Sequence, residues 1–501
     1  MSFTSVKFPL FLAAALVCYF AAPPKLRRFV LLTASYVFYW FAGGLYALGV
    51  ISFTTISVWL AGLWAGRLRA AKAARSARRA PLALCLTVNF GLLVLFKYCG
   101  KLLPGVELML IPGISFYTFQ SAGYLIDVYK GKAAPERNPL KFALFVSFFP
   151  QLIQGPISRY GEIADSLSSG PGWDFERARR GVRRVIWGYF MKLAIADVAA
   201  VPVGAVFGNY EAYGGAVIAA AAVLYSVQVY ADFAGGINIA LGVAEIVGVN
   251  LPENFNNPFF ARSLPDFWRR WHITLGLWLK DYLFYPIAIS KPMGKLGSLA
   301  RRALGVNLGK LAPASVATFA VYIVMSVWHG VSWRSLAFGL LNGGIITLSL
   351  YCEPLYARLR KLTGLDGAKP GVGSAFAILR TFFLLTFLRY FARAGSFMAA
   401  LGMLGRTVLR LRPAELWDGT LMTLGLGARE YILLGVSTAL LLLRDTAAER
   451  GAGSGRSPED ALDTSRGIAQ YAVLVLVFAL IAYCGIYREG YVASGFIYAN
   501  Y

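Results

Sequence analysis

The sequence predicts an all-α, polytopic integral membrane protein, and three observations lead there. Of the 501 residues, 57% are hydrophobic and only 15% are charged, whereas a soluble domain carries roughly 25% charged residues. Apolar runs recur from end to end, near the roughly 20 residues that an α-helix needs to cross the hydrocarbon core. The alternating strands of a transmembrane β-barrel are not seen in the pattern.

The first run, 8–22, has only Lys7 as a nearby basic residue before it and ends at Pro23, Pro24 and the basic Lys25–Arg28 cluster. A cleaved signal peptide needs a basic leader and a small-residue cleavage site, so this run reads as a retained first membrane helix. Runs at 29–65, 82–98, 106–126, 139–157 and 185–208 follow, then 215–249, 313–328, 335–351, 373–392, 429–443 and 468–487. Those at 29–65 and 215–249 are long enough for two spans each, and with half-spans the expectation is roughly eleven to thirteen membrane segments. All of 1–501 is expected to form a single membrane-embedded domain.

The chain carries 49 Lys and Arg against 25 Asp and Glu. The excess sits in short loops between apolar runs, which is the positive-inside pattern and argues against nucleic acid as a partner. Segments Arg67–Arg79 and Lys291–Lys310 are basic without any acid, and both are expected in the cytoplasm. Segment Arg444–Arg466 mixes five acids with four arginines and is rich in Gly and Ser, so a flexible polar linker is expected at about 445–466. The five cysteines, Cys18, Cys85, Cys99, Cys352 and Cys484, follow no metal or disulfide spacing and read as packing residues.

Lipid penalises polar groups, so polar residues that persist within apolar segments carry information. Four clusters do so. In Ile114–Ser121, hydroxyls and Gln120 sit among aromatics after Pro112 and Gly113; a broken helix is expected there, its polar groups either bonding between helices or lining a cavity. In Phe149–Arg159, two prolines, a glycine, Gln151 and Gln154 interrupt an apolar stretch, so the helix must end or bend. Asp232 lies in an otherwise uncharged span of about thirty residues and needs a donor or a proton. In Leu264–Tyr282, read as one helix at 100° per residue, Asp266, Arg269, Arg270, Lys280 and Asp281 share one arc while Phe267, Trp268, Trp271 and Trp278 share the other. His272 lies at the edge of the aromatic arc. The other histidine, His329, ends an apolar helix, with Gly330 as its C-cap. A helix C-terminus favours the imidazolium and burial favours the neutral ring, so sequence leaves its charge open.

These clusters, in this order, resemble the bacterial branch of the membrane-bound O-acyltransferases, which includes the alginate and peptidoglycan O-acetylation proteins and the D-alanine exporter of teichoic-acid modification. The stretches that carry the resemblance are Gly113–Gln120, Gln154–Ile157, Tyr230–Phe233, Pro252–Asn256, Phe267–Thr274, Asp281–Tyr282 and Trp328–Gly330, with core motifs over 110–345. The chain departs at Gly235–Asn238, where the family often has Gly-Tyr-Ser-Asp. The resemblance implies an O-acyltransferase of the cell (plasma or inner) membrane, with His329 as catalytic residue and His272 acting in catalysis or in shaping a central tunnel. Gln120, Gln154, Asp232, Trp268, Arg269 and Asn342 are the further tunnel candidates.

The resemblance implies a bound cofactor no more than the composition does. An acyl donor such as acetyl-CoA or an acyl carrier protein is expected as substrate, approaching near the basic segment 291–310. A polysaccharide acceptor and a separate extracytoplasmic acyltransferase are the expected partners, alongside membrane lipid. Two histidines 57 positions apart make a poor metal-ligand set. D-alanyl transfer to teichoic acid from a carrier protein is the alternative within the family. Outside it stand a non-covalent transporter or flippase, which needs midplane carboxylates beyond Asp232, and a structural scaffold in which both histidines are dispensable.

Overall fold

The computed structural model describes residues 1–99, 111–362, 370–451, 468–486 and 495–496. Among the described residues every regular element is helical, with one isolated antiparallel bridge between Phe255 and Trp271. Among the described residues seven helices are long and apolar enough to cross a membrane, and the pair Trp333–Tyr351 and Glu353–Leu359, bent by 65°, adds an eighth if taken as one span. The chain is therefore an all-α, multi-pass membrane protein. Shorter apolar helices lie at Lys7–Ala21, Phe397–Leu409 and Val475–Cys484.

The eleven to thirteen membrane segments expected include half-spans and broken helices, and among the described residues they resolve into fewer full-length spans and several shorter apolar helices, for physical reasons that differ by segment. The run 215–249 forms one helix, Gly215–Ile246, rather than two. The run 29–65 lies within a 47-residue helix broken at Gly44, whose φ of 69° and ψ of −171° are not helical; unbroken it would extend about 70 Å. Runs 106–126 and 139–157 meet turns and prolines and yield only the 17-residue Ile114–Lys130 and the nine-residue Pro139–Ser147. Residues 106–110 of the first of these lie outside the described residues.

The chain forms two compact units. The first comprises Met1–Lys192, Asp232–Glu253 and Gly485–Tyr501. It opens with α1 (Lys7–Ala21), the long α2 (Pro24–Ala70) and α3 (Arg75–Val94), followed by α4 (Ile114–Lys130), α5 (Pro139–Ser147), α6 (Phe149–Leu152), α7 (Tyr160–Ser169) and α8 (Phe175–Tyr189). Helix α2 packs against α3, α4 and α5. Gly113 starts α4 at φ 75°, and a Cβ there would stand 2.3 Å from the Leu152 carbonyl oxygen, so the break after Pro112 is fixed by contact with the end of α6. Phe3, Phe8, Phe38, Phe149, Ile239, Val243 and Phe496 form a shared buried core.

After α9 (Asp197–Gly208), helix α10 (Gly215–Ile246) contributes its second half to the first unit. There it meets α8 at two glycine pairs seven residues apart. A Cβ on Gly188 would lie 2.6 Å from the Gly235 carbonyl, and one on Gly181 would lie 2.6 Å from that of Gly242. Small residues at this spacing let two backbones approach closely, as helices packing within a membrane require. Beside the crossing, Lys192 Nζ donates to Asp232 Oδ1 at 2.7 Å with both side chains almost fully buried, which supplies the donor that Asp232 needs.

The second unit comprises Leu193–Ala231 and Asn254–Cys484. Its helices after α10 are α11 (Leu264–Arg270), α12 (Ile273–Leu279), α13 (Tyr285–Ala288), α14 (Lys291–Gly309), α15 (Ala312–His329), α16 (Trp333–Tyr351), α17 (Glu353–Leu362), α18 (Pro370–Arg393), α19 (Phe397–Leu409), α20 (Ala428–Gly451) and α21 (Ile468–Ile481). Helices α15 and α16 pack tightly because Gly339 lets the Tyr322 carbonyl and the Ser326 side chain approach.

The expected polar linker is corrected over part of its length. Residues 444–451 are the last two turns of α20, and 452–467 lie outside the described residues. These turns hold because their acids face inward: Asp445 is fully buried and accepts from the Tyr230 hydroxyl at 2.9 Å, and Glu449, four residues on, pairs with Arg270.

Candidate active site

The Trp-rich segment 264–282 is not the single helix that its wheel assumed. Ser263 caps α11 by accepting from the Asp266 N–H, and the helix stops at Trp271, whose φ of −111° and ψ of 127° are extended. His272 follows at φ 48°, ψ 52°, in the left-handed region where a non-glycine residue sits only when its surroundings hold it there. Helix α12 then starts afresh at Ile273, so the two arcs drawn across Leu264–Tyr282 do not share one axis.

What holds the break is the segment Asn254–Asn256. The Asn256 N–H donates to the Arg270 carbonyl at 2.9 Å and the Ile273 N–H to the Asn254 carbonyl at 3.0 Å. Asn254 is fully buried, and its Oδ1 accepts from the Thr274 N–H at 3.0 Å and the Thr274 hydroxyl at 2.9 Å. A backbone N–H can only donate, so this atom is the amide oxygen. His272 Nδ1 lies 3.3 Å from the same oxygen and must therefore carry the proton to bond it, which leaves Nε2 as the basic nitrogen of a neutral ring.

The surroundings of His272 favour that neutral form. The ring lies outside the spanning helices and is almost completely buried; burial pushes its pKa well below the ordinary 6.5, and positive charge on nearby His329 lowers it further. His329 is the last residue of α15 and half-buried, with the Gly330 N–H capping the helix on the Ser326 and Val327 carbonyls at 3.1 and 3.0 Å. The Trp328 ring lies near both imidazoles, its centroid 4.7 Å from that of His329 and 6.0 Å from that of His272.

The other expected residues separate. Trp268 Nε1 donates to Asn342 Oδ1 at 3.1 Å, Asn342 is fully buried on α16 and bonds its own helix at the Phe338 carbonyl, and the Trp268 ring packs on Tyr322. Trp268 and Asn342 thus belong with the histidines in the second unit. Arg269 is 74% exposed and pairs with Asp266 at 3.7 Å. Gln120, Gln154 and Asp232 lie in the first unit. Gln120 Nε2 donates to the Phe145 carbonyl at 2.9 Å, Asp232 holds Lys192, and Gln154 is buried with its Oε1 against Gly236. Among the described residues Gln154 Oε1 meets no hydrogen-bond donor.

Two features escaped the sequence reading. Asn254 sits within a motif stretch, yet its role as the orienting acceptor for His272 depends on a chain reversal that no local pattern announces. The Arg270 guanidinium binds Glu449 through two contacts of 2.8 and 3.1 Å and Asp266 at 3.3 Å, bracing α11 against α20. Bonding to Glu449 raises the Arg270 pKa further. Among the described residues no cluster of His, Cys, Asp and Glu is arranged to hold a metal ion. What the arrangement can do chemically is move a proton: a half-buried imidazole at a helix end beside a second, buried imidazole whose tautomer is fixed.

The family model of MBOAT, the membrane-bound O-acyltransferase family, matches residues 130–384. A "Probable alginate O-acetylase AlgI" of Azotobacter vinelandii is 32% identical over 351 residues, covering 67% of this chain and 65% of that protein. The peptidoglycan O-acetyltransferase of Helicobacter pylori is 33% identical over 313 residues, 55% of each chain. The teichoic acid D-alanyltransferase of Bacillus subtilis is 27% identical over 330 residues, 61% of this chain and 76% of that one. The matches span slightly less than two thirds of the length of the alginate O-acetylases.

Proposed function

Since the chain belongs to the membrane-bound O-acyltransferase family, we propose that it is an O-acyltransferase that moves an acetyl group from a cytoplasmic thioester donor towards hydroxyls of a cell-surface or exported polysaccharide. The observation that carries the reading is the pairing of His329 and His272 around Trp328 within the matched region. The alginate and peptidoglycan relatives are named for O-acetylation, which supports acetyl over other acyl groups.

In this reading His329 is the general base. Its neutral ring takes the proton of the acceptor hydroxyl as that oxygen attacks the thioester carbonyl. The tetrahedral intermediate collapses, the carbon–sulfur bond breaks, and the departing thiolate takes the proton from the imidazolium. Such base assistance is worth about 10²–10⁴-fold in rate. His272 stays neutral and limits the positive charge near His329; Asn254 fixes its orientation. The protein around the reacting groups must exclude water, or the thioester hydrolyses.

Acetyl-CoA or an acyl carrier protein is the proposed donor, a separate extracytoplasmic acyltransferase and a polysaccharide the proposed partners, and the plasma or inner membrane the proposed site, with loop 67–79 cytoplasmic. The test is the O-acetyl content of surface and exported polysaccharide in cells with and without the protein. A loss of ester-linked acetate from one polymer identifies the acceptor. Unchanged ester content in every polymer, with the protein expressed, contradicts the proposal.

A further inference from the structure

The basic loop that sequence singled out borders an open cavity that the acyl-transfer chemistry does not use. The end of α2, the start of α3 and the end of α4 meet around a space of about 500 Å³ lined by Arg69, Lys72, Arg75, Arg78, Tyr129 and Lys130. That is the size of a small-ligand cleft. Five of the six lining residues are cationic and none is acidic.

The arrangement is more than a loose charged face. Arg69 is pressed against the left-handed Gly131 at the end of α4, where any Cβ would collide with its guanidinium. Burial alone would raise the Tyr129 hydroxyl pKa, but hydrogen bonds from Arg79 and Arg75 and their charges outweigh it and lower the value. The Arg78 Nε is shielded from solvent and meets no hydrogen-bond acceptor among the described residues. Like charges gathered this closely repel one another unless an anion joins them, and planar guanidiniums match phosphate oxygens in pairs.

We propose that this cavity binds a phosphate-bearing anion at the membrane boundary. The headgroup of an anionic phospholipid fits best, because the lining residues sit where apolar α2 ends and α3 begins, and Trp64, one turn before Arg67, is 45% exposed as interfacial tryptophans are. A soluble phosphate compound carries the same chemistry and is the second source.

The test uses the purified full chain in detergent with two probes, a tail-labelled short-chain phosphatidic acid and inorganic pyrophosphate, and phosphatidylcholine as the control lipid. The expected result is that the intact chain binds phosphatidic acid at least about tenfold more tightly than phosphatidylcholine, with affinity falling as salt rises. The pair Arg75→Gln and Arg78→Gln removes that preference about tenfold while the melting curve is unchanged. Tight pyrophosphate binding, lost in the same pair, assigns the site to a soluble ligand instead. Should the pair fail to fold, Lys72→Asn replaces it: Lys72 is exposed at φ 49°, which Asn tolerates, and several-fold weakening is expected. Equal binding of both phosphate probes by the folded variants and the intact chain overturns the proposal.

Discussion

His272 shows how a single residue can be placed by contacts far from it in sequence. Its left-handed backbone, a conformation costing roughly 1–2 kcal/mol for an L-residue, is held because Asn254 gathers the Thr274 N–H, the Thr274 hydroxyl and the imidazole on one oxygen. Asn254→Ala leaves those buried donors without their acceptor and is expected to cost about 1–3 kcal/mol, read as a lowered melting point in detergent. It should also reduce acyl transfer per folded molecule, because the ring is no longer held. Unchanged specific activity removes Asn254 as an orienting residue. The neutral burial of His272 has a consequence for pH as well. Its folded pKa lies below the unfolded 6.5, so below pH 6.5 the unfolded chain binds a proton that the folded chain refuses, and stability falls with pH. His272→Asn, which suits the left-handed backbone, should flatten the acid side of a melting-point profile between pH 5 and 7; an unaltered slope contradicts the assignment.

At the scale of the element, the residue types announced the helices and the tertiary contacts decided their breaks. The apolar runs and the glycine–proline interruptions at Pro112–Gly113 and Phe149–Arg159 were legible because hydropathy and backbone freedom are local properties. The break at Trp271–His272 was not, since a helical wheel assumes 100° per residue throughout and the pairing partner lies at Asn254–Asn256. Nor was the helical end of α20: Asp445 and Glu449 look like linker acids until Tyr230 and Arg270 are brought to them. Asp232 was recognised as needing a donor, but Lys192 lies forty residues away in sequence and could not be named. That pair gives a sharp test. Lys192→Met leaves a buried carboxylate uncompensated and is expected to cost about 3–5 kcal/mol, whereas adding Asp232→Leu should recover most of it. A double variant no more stable than the single one shows that the pair does not stabilise the α8–α10 region as described.

For the whole molecule, composition and run length were enough to establish an all-α membrane protein, and the family lies in the order of its motifs. The span count was less legible, because a run's length does not reveal whether a helix breaks within it, as at Gly44, or continues, as in Gly215–Ile246. Orientation rests on charge: six basic residues and no acid in Arg67–Arg79 make translocation of the loop unfavourable. A single cysteine at the exposed Ser76, in a chain with the native cysteines replaced, should resist an impermeant thiol reagent in intact cells and react after permeabilisation. Labelling from outside reverses the orientation. The central claim is that His329 is the base for acyl transfer, and acyl transfer per folded molecule by His329→Ala tests it most directly. The account predicts a variant that inserts, melts like the parent chain and transfers about a hundredfold more slowly; transfer at the parental rate by the folded variant would contradict it.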